Sequence, residues 1–239
     1  MGKLVIGYLY SGKDFGQDEI LFKNIAKKKN VEPILISTTE WSDEKKLREK
    51  IKSCDIIYNS SAEDFAIETE KTIEEFGKKI IEPSKAYYYT EDKWMFYLKC
   101  SEHKIAVPKT ILLSENIPAS KKSLKEFNQW PVILKRVTGT MGQFVEKADD
   151  LEEAGKIMKK LWEKSSERLP IIAQEYIHSP SYRVTVFGNE IVQTAIKRNR
   201  GWKATGVYSN RIRRFPVDKE LKEIVDRMMK FVKINVCGI

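Results

Sequence analysis

Pro131 to Val145 reads PVILKRVTGTMGQFV. A short apolar run, Val132 to Leu134, meets Lys135 and Arg136, and a segment holding Gly139 and Gly142 follows. The apolar run predicts a buried strand. A lysine at the end of such a strand places a cation where the local dielectric is low and clustered negative charge is held most strongly. The glycines let the backbone approach phosphate oxygens and let the loop close over them. This is not a Walker A loop, because Lys135 precedes the glycines and no GKS or GKT follows. A plain β-hairpin with a glycine turn and an exposed lysine accounts for the same letters, so this segment alone leaves both readings open.

A second stretch, Ile171 to Ile177, reads IIAQEYI. It predicts another apolar strand, this one closing on Gln174, Glu175, Tyr176 and Ile177. The backbone at a strand end can hydrogen-bond an adenine edge while an apolar wall holds the ring. The competing reading is an ordinary sheet strand with surface polar residues.

Outward from these two segments, the chain alternates strand and helix over its first third. Strands are expected at Lys3–Tyr10, Val31–Ile36, Asp55–Tyr58 and Ile80–Ile81. Helices are expected at Asp18–Lys29, with an apolar period at Ile20, Leu21, Ile25 and Ala26, from a cap at Ser42 to Lys52, and at Phe65–Phe76 with Gly77 as its stop. That alternation predicts a small parallel α/β domain. Gly12 and Gly16 do not form a dinucleotide fingerprint. Pro83–Tyr89 reads as a linker. Thr90 is expected to cap a helix carrying Glu91, Asp92 and Lys93. Further on come a strand at Thr110–Leu113, a helix within Pro118–Gln129, and a helix from a capping box at Asp149 and Glu152 to Lys164. A hairpin of Arg183–Phe187 and Glu190–Lys197 turns at Gly188-Asn189. An amphipathic helix spans Val217–Phe231 and an apolar strand begins at Ile234, with no sheet neighbour expected for it.

Composition narrows the class. The chain has 239 residues, enough for one or two domains, with 41% hydrophobic residues and a net charge of +9. Neither a membrane span nor a signal peptide is expected: no apolar run nears ~20 residues and the N-terminal run lacks a cleavage site. Cys54, Cys100 and Cys237 lack zinc spacing and are odd in number, which reads as core thiols in a reducing cytoplasm. The positive charge is spread over Lys-rich helix faces, as at Lys27, Lys28 and Lys29, rather than gathered on one nucleic-acid module. His103, His178 and the Tyr87–Tyr89 run read as loop and packing residues. Arg211, Arg213 and Arg214 read either as a surface loop or as a basic cluster that serves substrate or nucleic acid.

The order of these features resembles the ATP-grasp superfamily, specifically the RimK-like carboxylate–amine ligases. Asp92-Lys93 is similar to the family's early lysine motif, Lys135 to its phosphate lysine, and Gly139, Thr140, Met141 and Gly142 to its flexible small loop. Gln174, Glu175, Tyr176 and Ile177 match the adenine hinge. Arg183 with Gly188 matches the pattern IRV-x-x-x-G, and Lys197, Arg198 and Lys203 lie where the family carries basic residues.

The resemblance implies an α/β fold, α+β in its second part. A pre-ATP-grasp parallel α/β domain over residues 1–88 would precede an incomplete two-lobed ATP-grasp domain over residues 89–239, its first lobe at 89–174 and the start of its second at 175–239. It implies ATP and magnesium as cofactors, and amide formation through an acyl-phosphate by a small-molecule or peptide carboxylate and an amine. An amino acid such as glutamate, added to an acidic substrate, fits the basic cleft. Lys93, Lys135, Lys203 and the loop would hold phosphates, Lys197 would join them, and Arg183 and Arg198 would hold anionic substrate or the acyl-phosphate. Relatives are commonly dimers or tetramers. Three departures stand out. Ser181 replaces an Asp, and Thr205–Asn210 replaces a segment with Asn and paired glycines. The chain also ends at Ile239, one residue before the first expected magnesium ligand. It is therefore expected to be a truncated gene product that binds nucleotide weakly and does not ligate. A non-catalytic nucleotide-binding or regulatory protein on the same fold is the alternative.

Overall fold

The computed structural model describes residues 2–41, 43–139, 142–163, 168–198, 201–203 and 211–239. The chain divides into two compact units, Met1–Ala86 with Ile234–Val236, and Tyr87–Lys233 with Cys237–Ile239.

The first unit holds four parallel strands, β1 (Leu4–Tyr10), β2 (Val31–Ser37), β3 (Ile56–Asn59) and β4 (Ile80–Ile81), in the order β2-β1-β3-β4. Helices α1 (Gln17–Lys28), α2 (Glu44–Ile51) and α3 (Asp64–Glu75) connect them. Parallel neighbours need such crossovers, which is why strand and helix alternate in the sequence. Leu9, Ile36, Leu47, Ile51, Ile57 and Ile73 form its core. Asp43 caps α2 by accepting from Lys46 N at 2.9 Å, while Ser42, the expected cap, lies outside the described residues. On α1 the expected apolar stripe is not the buried one. Ile20, Leu21 and Ile25 are exposed, whereas Ala26 is buried and Phe22 packs on Tyr8 at 4.4 Å between ring centroids.

In place of an extended linker, Ser84–Ala86 is a 3-10 turn and α4 (Tyr87–Thr90) a single helical turn. Helix α5 (Lys93–Glu102) is capped by Asp92, which accepts from Trp94 N and Met95 N at 2.9 and 3.0 Å. Thr90 does not cap it; the carboxylate two residues later reaches the unpaired amides of the first turn.

The second unit contains two four-stranded antiparallel sheets. One comprises β5 (Thr110–Leu112), β6 (Val132–Arg136), β7 (Val145–Ala148) and β8 (Ile171–Glu175), ordered β5-β8-β6-β7. Helices α6 (Ile117–Phe127) and α7 (Leu151–Glu163) belong with it. Leu124 of α6 and Ala154, Met158 and Leu161 of α7 share a core with Val132, Leu134 and Ile171 of the sheet. Each such buried aliphatic side chain contributes on the order of 1.5–3 kcal/mol of transfer free energy. The capping box of α7 lies one residue later than expected: Glu153 N donates to Asp150 Oδ1 and Asp149 N to Glu153 Oε2, both at 2.8 Å.

The other sheet comprises β9 (Ser181–Phe187), β10 (Glu190–Arg198), β11 (Arg211–Arg213) and β12 (Val236–Gly238), ordered β11-β10-β9-β12. Gly188, with φ at +59°, makes the β9–β10 turn, and a bulge between Ile191 and Gln193 shifts the register. β11 was not expected, because Arg211–Arg213 carries no apolar alternation; its pairing with β10 makes it a strand. β12 does have a sheet neighbour: Val184 and Ile239 exchange backbone hydrogen bonds at 2.8 Å. Helix α8 (Lys219–Val232) packs Val225 against Val184 and Val186, and its Met228 joins Cys100 and Ile105 beside Phe96 and Phe231.

Candidate functional site

Lys135 stands next to last in β6, a central strand hydrogen-bonded on one side to β8 and on the other to β7. Its register partners are Val145 on β7 and Ile172 on β8. The glycine segment is therefore the connection of a β-hairpin, and the two readings of the sequence describe one structure. Lys135 itself is not an exposed hairpin lysine. Its Nζ donates to Gln174 Oε1 at 2.7 Å, and Gln174 Nε2 donates in turn to Thr110 Oγ1 at 2.8 Å. Burial, and then the charge of Lys93, push its pKa down to about 8.

Lys93 opens α5 and meets the same hairpin from the other side. Its backbone N donates to Val137 O at 2.9 Å, and its Nζ donates to Gly139 O at 2.9 Å and Val137 O at 3.4 Å. Burial lowers its pKa, while Glu91 and Asp92 act to raise it. Gly139 and Gly142 have φ of +122° and +70°, a region that L side chains avoid, so glycine is required at both ends of the bend. Thr140 and Met141 between them lie outside the described residues.

Arg136 was not singled out in the sequence, and it carries the hairpin from below. Its guanidinium is 2% exposed, bonds Leu161 O, and lies 4.0 Å from the centroid of the Phe144 ring. Burial lowers its pKa. Arg136 N also donates to Phe144 O at 3.2 Å, so the returning arm of the hairpin is fixed from both its ring and its backbone. A buried Arg next to a strand lysine was the available signal, since alternation must turn one of two adjacent cations inward.

These groups line a cleft of about 480 Å³. Lys93, Lys135, Gly139, Gly142 and Lys203 stand in its wall, as do Gln174, Glu175, Tyr176 and Ile177. Lys203 Nζ donates to Gly142 O at 3.4 Å. β8 ends at Glu175, so Tyr176 and Ile177 lie past the strand. The Glu175 carboxylate accepts from Lys109 N at 2.8 Å, and Glu175 N donates to Lys109 O at 2.9 Å, which pins the strand end.

A smaller cleft of about 200 Å³ shares Tyr176, Ser181 and Trp202 with the first and adds His178, Lys197 and Arg198. The Tyr176 hydroxyl lies 3.1 Å from His178 Nδ1. In β9 and β10, Ser181 pairs with Lys197 and Arg183 with Ala195. Opposed residues share a face, so Ser181, Arg183 and Lys197 lie together, away from α8. Arg198 falls on the other parity, though it lines the smaller cleft with Lys197. Arg183 lines neither cleft. Thr205 to Asn210 lie outside the described residues.

The donor set fits a nucleotide polyphosphate. Two lysines whose charged forms are disfavoured by burial face one cleft, and a bound polyanion relieves that penalty. The apolar and main-chain wall past β8 suits a planar ring. Among the described residues, no group of three or more His, Cys, Asp or Glu side chains could hold a metal ion. Among the described residues, no helix is long and apolar enough to cross a membrane.

Comparison with known proteins agrees with this geometry. Residues 90–239 match the model of the RimK-like ATP-grasp domain. The chain is 23% identical over 232 residues to the coenzyme gamma-F420-2:alpha-L-glutamate ligase of Methanocaldococcus jannaschii, covering 85% of this chain and 81% of that protein. It is 24% identical over 190 residues to the alpha-aminoadipate–LysW ligase of Sulfurisphaera tokodaii, covering 77% of this chain and 65% of that one. Among solved structures, a RimK domain ATP-grasp protein from Sphaerobacter thermophilus superposes with a TM-score of 0.76 at 14% identity, covering 98% of this chain and 84% of that one. The match to the domain model spans well over half of the chain, and the chain belongs to the RimK-like ATP-grasp family.

Proposed function

We propose that this protein is an ATP-dependent carboxylate–amine ligase that joins an amino acid, such as glutamate, to an acidic substrate. A substrate carboxylate takes phosphate from ATP, and an amine then attacks the acyl carbon. The C–N bond forms, the C–O bond to phosphate breaks, and the amine gives up a proton. The protein's share is positioning and charge stabilisation. The observation that carries this reading is the convergence of Lys93 and Lys135 beneath the glycine hairpin, in the same cleft as the Glu175–Ile177 segment.

In this reading Lys93, Lys135, Lys203 and the hairpin from Gly139 through Thr140 and Met141 to Gly142 hold the phosphates. Gln174, Glu175, Tyr176 and Ile177 seat the adenine. Arg183, Lys197 and Arg198 face the anionic substrate or the acyl-phosphate. The glutamate ligase and the aminoadipate ligase among its relatives favour an amino acid as one partner. Magnesium would accompany ATP, and the unbridged thiols of Cys54, Cys100 and Cys237 suit a reducing cytoplasm.

The test is ADP release with ATP, magnesium and a panel of amino acids and acidic peptides, with mass spectrometry of the products. Calorimetry with ATP is run in parallel. ADP formation with an amide product supports the ligase. ATP binding without turnover across the panel favours a nucleotide-binding protein on the same fold. No ATP binding at all removes both.

A further inference from the structure

Gly238 sits in β12, the strand beside β9 at the edge of its sheet, and a glycine within a strand weakens it and marks a close approach by another group. Its backbone does not demand glycine, since its φ is not positive. Arg183 does. A Cβ built on Gly238 would stand 2.6 Å from Arg183 Cζ, 2.8 Å from Nε and nearer still to Nη2. All three nearest atoms belong to one guanidinium, which therefore lies against the bare Cα of β12.

We infer that Gly238 is a positioning residue for Arg183: its missing side chain is the berth in which the guanidinium rests. Arg183 shares a strand face with Ser181, which lines both clefts, and with Lys197, which lines the smaller one. The guanidinium is the free end of a flexible chain, whereas β12 is held to β9 by the paired bonds of Val184 and Ile239. A methyl group at 238 therefore displaces the guanidinium and leaves the strand in place. The consequence for turnover rests on the ligase reading above; the berth does not.

The test is a double-mutant cycle in the full chain without ligand, with wild type, Gly238→Ala, Arg183→Ala and the double variant compared by thermal denaturation. Alanine is favoured over glycine in a strand, so Gly238→Ala should raise Tm by about 1–3 °C in the Arg183→Ala background. In the wild-type background it should give no gain, or a loss. The Nε–Hε NMR signal of Arg183, assigned by its loss in Arg183→Ala, should shift or broaden in Gly238→Ala, a change that a purely structural role would not cause. Where turnover is measurable, Gly238→Ala and Arg183→Ala should give the same fold loss and the double variant no further loss. Equal Tm changes in both backgrounds, or an unmoved Arg183 signal, overturn the inference. Should Gly238→Ala fail to fold, folding of the double variant supports it and failure of the double variant overturns it.

Discussion

The ammonium of Lys93 donates to the carbonyl of Gly139 over 2.9 Å, tying the first residue of α5 to the bend of the hairpin over the cleft. One side chain thus acts as a cation for the phosphates and as a latch for the loop that covers them. Lys93→Met removes both, whereas Lys135→Met removes a charge and leaves the latch. Each should weaken ATP binding about 10- to 100-fold, the range of a charge-assisted hydrogen bond. Only Lys93→Met should increase proteolysis within the hairpin of the ligand-free protein. Equal cleavage of both variants would show that Lys93 does not hold the loop.

The pH dependence of binding follows from Lys135. Its pKa in the empty cleft is about 8, because burial and Lys93 disfavour its charge. A bound polyphosphate favours the charged form and raises that value. Between the two values, binding takes up a proton, so ATP affinity should fall as pH rises above about 8. Calorimetry at pH 8.5 in buffers of different ionisation enthalpy measures that uptake. It should vanish in Lys135→Met. In the empty protein the sign is opposite for folding: the unfolded chain binds more protons between about 8 and 10.5, so Lys135 costs stability below about 8 and that cost is relieved as pH rises through this interval.

Asp92 sets the start of α5 through its bonds to Trp94 N and Met95 N. Asp92→Ala should cost about 1 kcal/mol of stability. Because Lys93 is the next residue, ATP affinity should fall with it. Asp92→Asn, which can still cap, should recover most of the stability in denaturant melts. If Asp92→Asn is as unstable as Asp92→Ala, the cap is not the cause.

Glu70 is fully buried in the first unit, where Asn59 Nδ2 donates to its Oε2 and its Oε1 has no hydrogen-bond partner among the described residues. Burial raises its pKa to about 7. The folded chain binds more protons than the unfolded one between about 4.5 and 7, so this group costs stability progressively across that window as pH rises. Glu70→Gln should raise stability at pH 8 by on the order of 1–3 kcal/mol and have little effect near pH 4.5. A Tm gain of the same size at both pH values would refute the charge as its source.

Local patterns carried much of this fold, and where they failed another interaction had won. The alternation from Leu4 to Ile81 was legible because each parallel strand needs a crossover. Lys135 and Gln174 were legible as site residues because each closes an apolar run. The stripe Ile20, Leu21 and Ile25 misled because Phe22 and Ala26 took the buried face instead. Thr90 gave way to Asp92, a carboxylate nearer the unpaired amides. β11 was hidden because its residues are basic and only the neighbouring β10 makes them a strand. Arg136 was passed over because its buried guanidinium is held by groups that no local pattern marks, the Leu161 carbonyl and the Phe144 ring.

The bulge at Ile191 and Gln193 places Val192 between the two registers of β10. Were Val192 paired in the ladder instead of bulged out of it, the earlier register would continue, set Ile196 opposite Ser181 and turn Lys197 toward α8. The arrangement of the open face therefore depends on which residue is left unpaired as well as on residue identity. Deleting Val192, an exposed side chain in neither cleft, would remove the bulge and leave Gln193 to Lys197 opposite the partners they have now, whereas pairing it into the ladder would exchange a cation for an aliphatic group beside Arg183. In this central hairpin, the choice between a bulged and a paired Val192 is a larger chemical event than most substitutions around it.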